Sequence, residues 1–258
     1  MNLNGFRHAL GLLTILPLSS SPDPAIDDAP GRTMWAYPYV GALIGLALAL
    51  LAFLLRAAGQ GSPSLLAPAI VLAAWCLLTG GLHLDGWIDC CDALFVPASR
   101  ARRLEILKDP RMGSFGGVGL IVLLLLKLAA IQGVLSARPA TAPIWAWLWP
   151  LVVAPAAARW CMVIAAVAFP LARPDGMAAF FRRGAGRREL VVGGLAVAAT
   201  CALGGWAGLV SGLAGMLGGL ALASVAARRL GGLTGDVYGA TIEWGETLVL
   251  VVACLLHP

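Results

Sequence analysis

Charge is scarce in this 258-residue chain. Asp, Glu, Lys and Arg make up only 12% of it, apolar residues 60%, and the mean hydropathy is +0.87. That balance excludes an ordinary soluble domain and requires lipid as part of the solvent. Histidine is scarcer still: His8, His83 and His257 are widely separated and form no cluster for a transition metal. None of the six cysteines, Cys76, Cys90, Cys91, Cys161, Cys201 and Cys254, belongs to a C-x-x-C pair, and all lie in or beside apolar stretches. Neither a disulfide framework nor a zinc site is expected. The net charge of +5 does not signal nucleic acid, because the basic residues fall in short loops between apolar runs.

What the chain has in quantity is apolar sequence in lengths suited to a bilayer, which takes roughly 20 residues of helix. Seven stretches qualify: 38–56, 63–84, 115–136, 144–170, 189–205, 207–227 and 238–256. The expected fold is therefore all-α, a polytopic helical bundle forming one integral membrane domain over 1–258. The run from Phe6 to Leu18 is too short to span, carries Arg7 and His8, and has no cleavage-site pattern. It reads as an interfacial or re-entrant helix, not a signal peptide. Ser19 to Arg32, rich in Ser, Pro and Asp, reads as a loop. With the N-terminus inside, fourteen of the eighteen Lys and Arg residues are cytoplasmic, and only Arg56 and Arg138 fall outside. The positive-inside rule favours that orientation. Gly204, Gly208 and Gly212, then Gly215 and Gly219, recur every four residues, a spacing that suits helix contacts within one chain or between copies in a homo-oligomer.

Carboxylates next to lipid are costly unless paired, solvated or bound to a cation, so their positions are informative. Asp85, Asp89 and Asp92 follow the second span at i, i+4 and i+7, one face of a helix. Three like charges there make sense around a divalent ion, and oxygen ligands favour magnesium, manganese or calcium over zinc. Asp236, Glu243 and Glu246 share a face of the last span, with Lys127 and Arg159, each near the middle of its own span, as the available partners. Lys108-Asp-Pro-Arg-Met-Gly-Ser-Phe-Gly116 is a turn-prone stretch. Its Lys108 and Arg111 suit phosphate oxygens, and Gly113, Ser114 and Gly116 offer backbone donors as a helix begins. The Ala172-Arg-Pro-Asp-Gly176 turn is placed to hold Arg173 over the same face. Acids and cations converging on one membrane face suit phosphoryl or nucleotidyl transfer, which is mostly positioning and charge neutralisation.

The stretch around Asp85 partly echoes the Asp motifs of the CDP-alcohol phosphotransferases, but the Ala-Arg and the second D-x-x-x-D are missing. A cation-coupled transporter using Lys127, Arg159, Glu243 and Glu246 is a further alternative, though no inverted repeat is apparent. The stretches GGLHLDGWIDCCDAL, KDPRMGSFG and GGLTGDVYGATIEWGE, in this order and spacing, resemble the signature motifs of the cobalamin synthase family, also called adenosylcobinamide-GDP ribazoletransferases. Leu16-Pro17, Tyr37 to Gly45, Arg159 and Arg173 extend the likeness over nearly the whole chain. Trp87, Cys90-Cys91 and Trp244 depart from the pattern. The resemblance implies a magnesium-dependent transferase that joins adenosylcobinamide-GDP to α-ribazole or its 5'-phosphate and releases GMP. Carried onto this chain, it implies Asp85, Asp89 and Asp92 as metal ligands and Asp236, Lys108, Asp109 and Arg111 as catalytic residues. Ser114, Arg159, Arg173, Glu243 and Glu246 then contact or support the substrate.

Overall fold

A computed structural model describes residues 3–17, 24–60, 65–136 and 145–256. The expected outer position of Arg138, the expected span ends at 63–64 and 144, and the start of the Ser19–Arg32 loop lie outside them. Among the described residues the chain forms twelve α-helices: α1 (Leu3–Leu13), α2 (Pro24–Asp28), α3 (Tyr37–Leu55), α4 (Leu66–Leu78), α5 (Leu82–Phe95), α6 (Arg100–Ile106), α7 (Ser114–Ser136), α8 (Trp145–Ala168), α9 (Met177–Arg182), α10 (Arg187–Leu203), α11 (Gly205–Leu230) and α12 (Gly235–Leu256). The part of the expected loop that is described is largely helical, as α2 and a 3-10 turn over Pro30–Ala36 that leads into α3.

Among the described residues, five helical runs are long and apolar enough to cross a bilayer: Pro30–Ala58, α7, Trp147–Ala168, α11 and α12. The pair α4 and α5 is long and apolar enough only when taken together, and forms a broken span or a re-entrant loop, because the two helices meet at 91° where Gly80 and Gly81 take φ of 62° and 69°. Two successive left-handed residues turn the chain in a way that side chains resist, which ends the expected 63–84 span at Leu78 and sends α5 across the bundle. The expected fifth span is α10, a helix of 17 residues, about 26 Å long and slightly short of a bilayer core. Its hairpin with α11 does break at Gly204-Gly205, where Gly205 has φ 56°. Helix α1 is amphipathic, with Gly5, Ala9 and Leu13 turned inward.

Helix α8 forms the centre, 78% of its most apolar stretch being buried, and α12 lies beside it. The outer helices expose large apolar residues at helical spacing: Leu46, Leu50 and Leu54 on α3, Val118, Ile121 and Leu125 on α7, Leu209, Leu213 and Leu217 on α11. Surfaces of that kind belong in hydrocarbon. In lipid, helices associate through close packing more than through water exclusion, so small residues mark the seams. Gly41 and Gly45 of α3 lie directly against the α8 backbone at Pro155 and Leu151. On α11, Gly215 faces the Gly245 carbonyl and Gly219 the Thr241 carbonyl of α12, while Gly208 and Gly212 meet Cys201 of α10. These glycine repeats therefore serve contacts inside the chain.

Candidate functional site

One end of the bundle gathers α5, α6, α9, the starts of α7 and α12, and the turns between them. The 91° bend lays α5 over the first turn of α12, and glycines let the backbones touch. A Cβ on Gly86 would stand 2.6 Å from the Asp236 carbonyl oxygen, and one on Gly239 would stand 3.2 Å from the His83 backbone. This approach puts Asp85 and Asp236, from distant parts of the sequence, on the wall of one cavity of about 210 Å³. Asp89 is one turn further along α5, half-buried, and within electrostatic reach of Asp85, Asp92 and Asp236. Thr234 caps α12, its hydroxyl donating to Asp236 Oδ2 at 3.1 Å, and the helix N-terminus favours the negative charge held there. Among the described residues, Asp85, Asp89 and Asp236 form no ion pair.

Asp92 departs from the expected metal face. It is buried, and its two carboxylate oxygens accept the backbone N–H groups of Gly113 at 2.7 Å and Gly116 at 2.8 Å. It thus caps α7 and fixes the 108–113 turn, because a carboxylate satisfies the orphan donors of a helix start. Asp109 lies in the same turn and is paired with its neighbour. Arg111 donates to its two oxygens at 2.9 and 2.8 Å, and that side-chain bonding lowers the Asp109 carboxyl to about 2 from its ordinary 3.8. An acid held so far down is no proton acceptor near neutrality; it orients Arg111, whose side chain is 86% exposed. Lys108 is exposed and has no ion pair among the described residues, and Ser114 is exposed as the first residue of α7. Arg173 lies within electrostatic reach of Asp236 and donates to the Leu104 carbonyl at 2.6 Å, tying its turn to α6.

Arg159, Glu243 and Glu246, expected against the substrate, are instead buried in a network with Lys127. Lys127 Nζ donates to Glu243 at 2.5 Å and Glu246 at 2.6 Å, and Arg159 Nη1 donates to Glu246 at 2.8 Å. Lys127 also lies 4.8 Å from the Trp75 ring centroid. Two cations and two anions cancel, and α4, α7, α8 and α12 are bound together where a lone charge would be expensive.

Several residues at this end escaped the sequence reading. Arg103, counted there only as topological charge, is buried and donates to the carbonyls of Ala93, Leu94 and Ala98 at 2.5, 2.9 and 3.1 Å. Arg229 donates to the Leu94 carbonyl as well. Together they close the C-terminus of α5, where cations suit the helix dipole. Three arginines in R-A-R-R gave no hint that one of them points inward. His83 and Tyr238 line the cavity, and their signal was only their place inside the acidic motifs.

The cobalamin-5-phosphate synthase family model matches residues 5–254. Proteins named adenosylcobinamide-GDP ribazoletransferase are similar over nearly their whole lengths. The one from Pseudomonas syringae pv. syringae is 39% identical, covering 97% of this chain and 99% of the relative. That from Bradyrhizobium diazoefficiens is 38% identical over 96% and 92%, and that from Stutzerimonas stutzeri 40% identical over 94% of each. No solved structure matches. Motif order, end-to-end coverage and the family model agree, and the chain belongs to the cobalamin-5-phosphate synthase family.

Proposed function

We propose that the protein is a magnesium-dependent adenosylcobinamide-GDP ribazoletransferase, acting at the cytoplasmic face of a bacterial inner membrane. It joins adenosylcobinamide phosphate to α-ribazole or its 5'-phosphate and releases GMP. The observation that carries this reading is the cavity wall shared by Asp85 and Asp236, with Asp89 one turn away and no cation paired to any of the three among the described residues. Carboxylates this close repel one another, and a divalent cation relieves that repulsion. The printed names of the relatives supply the substrates, and the basic residues at this end support its orientation.

The donor set fits magnesium. Among the described residues no three His, Cys, Asp or Glu side chains close into a metal cage. Magnesium, however, is ordinarily held by one or two carboxylates and completes its shell with phosphate oxygens and water. Asp85 and Asp89 would hold it, and when bound it neutralises charge on the diphosphate. A ribazole hydroxyl attacks the phosphorus that carries the cobinamide. The new P–O bond forms as the bond to GMP breaks, and the hydroxyl proton passes to Asp236. Lys108 and Arg111 meet the phosphate oxygens from the turn that Asp92 fixes, and Ser114 offers a hydroxyl beside them. Arg173 steadies Asp236, while Arg159, Glu243 and Glu246 hold the helices beneath.

Purified protein in nanodiscs, given adenosylcobinamide-GDP, α-ribazole 5'-phosphate and magnesium, is expected to release GMP and yield a cobalamin product by mass spectrometry. Asp89→Ala should lower GMP release on the order of 100-fold. Undiminished turnover at normal expression would remove Asp89 from the mechanism.

A further inference from the structure

The cavity beneath Asp85 and Asp236 has walls of a different character from its acidic side. Leu13, Met34, Met162, Phe181 and Ile242 supply hydrocarbon, thioether and an aromatic ring from five separate elements. Three of the side chains that line it carry buried polar atoms with no hydrogen-bond partner among the described residues, the Tyr37 hydroxyl, His83 Nδ1 and the Tyr238 hydroxyl. Buried polar groups are nearly always partnered, so three orphans on one cavity point to a ligand that completes them.

Size and chemistry select that ligand. Apolar cavities of about 150 Å³ take up benzene, so about 210 Å³ suits a bicyclic aromatic ring and is far too small for a corrin macrocycle. A guanine base is bicyclic too, but in the transferase reading Asp85 and Asp236, which could accept from its ring N–H and amino group, are engaged by the metal and the attacking hydroxyl, and its carbonyl and ring nitrogens would lie against a mostly apolar wall at a cost for each unmade bond. A dimethylbenzimidazole ring is hydrocarbon over nearly all its surface and keeps one free ring nitrogen as acceptor. Methionines suit such a ring, since the flexible thioether adapts to flat faces and gains from aromatic contact.

We infer that this cavity is the acceptor subsite, seating the benzimidazole base of α-ribazole with the Tyr238 hydroxyl donating to its free ring nitrogen. The assignment rests on the transferase reading above and adds to it a specificity determinant. A base anchored between α9 and α12 leaves its ribose toward Asp85 and Asp236, where the attacking hydroxyl is needed. His83 Nδ1 and the Tyr37 hydroxyl are the other orphaned polar atoms of side chains on the wall, available to the ribose hydroxyls.

The test varies each substrate in turn for the wild type, Tyr238→Phe and Ala178→Trp, the last adding bulk at the α9 wall of the cavity. Tyr238→Phe is expected to raise KM for α-ribazole about tenfold, the effect of one lost hydrogen bond. KM for adenosylcobinamide-GDP should stay within about twofold. Ala178→Trp should shift the same constant in the same direction. An indole riboside, in which CH replaces the free ring nitrogen, should be a poorer acceptor than α-ribazole for the wild type and no poorer for Tyr238→Phe. Shifts confined to the donor, equal for both substrates or absent would overturn the subsite while GMP release by the wild type keeps the transferase reading. A wild type that releases no GMP would overturn both.

Discussion

Arg111 holds the Asp109 carboxyl at about 2, so the side chain stays ionised through the range in which an enzyme works. Because this value lies below the ordinary 3.8, the stabilisation is complete above that ordinary value and fades only as pH falls through about 2. Asp109→Asn is therefore expected to leave the acid limb of the GMP-release profile where it is, changing rates by the same factor at every pH. A limb that moves with the substitution would show that Asp109 titrates during turnover. Trp87 and Trp244 are instructive at the same scale. Far apart in the sequence, their rings stack at 5.7 Å with 13° between planes, and Trp87 Nε1 donates to the Gly119 carbonyl at 2.9 Å. Two tryptophans that look independent along the chain are one contact across α5 and α12. Residue types and spacing made the acids legible, but a carboxylate's partner depends on where its oxygens point. Asp92 shares a helix face with Asp85 and still turns both oxygens to α7.

At the scale of elements, the crossing of α5 over α12 sets the distance between the acids. Gly86 allows that crossing, and a methyl group there would push against the Asp236 carbonyl. Gly86→Ala should separate the two walls and lower kcat on the order of 100-fold, as misplacement by about 1 Å does. The unfolding temperature in detergent should change little by comparison, because the contact lies at the end of the bundle. A variant with normal turnover would mean that the acids need no such closeness. The helices themselves were legible, since apolar length reports a span whatever its neighbours do. The bend was not. Apolar windows register how much lipid a segment wants and carry no direction, so 63–84 reads as one rod although Gly80 and Gly81 turn it by 91°. The orientation of α6 was hidden for the same reason, because whether Arg103 faces water or the end of α5 depends on a fold that places α6 there.

Over the whole molecule, the Lys127, Arg159, Glu243 and Glu246 network ties α7, α8 and α12 together and reaches Trp75 of α4. Removing one partner strands a charge, so Lys127→Met or Glu246→Gln should each cost about 3–5 kcal/mol, seen as earlier unfolding in detergent. Lys127→Met combined with Glu243→Gln should cost less than the sum, because Arg159 and Glu246 remain as a neutral pair. Additive losses would mean that the four side chains do not act as a unit. The sequence showed these ions to be candidates for pairing, and the helix arrangement decided which pairs form. The network also has a consequence for synthesis in the cell. Both cations enter the bilayer on α7 and α8, well before the two glutamates of α12 leave the ribosome. A nascent chain must therefore shelter two unmatched positive charges until its closing helix arrives, and assembly of the bundle waits on that last insertion.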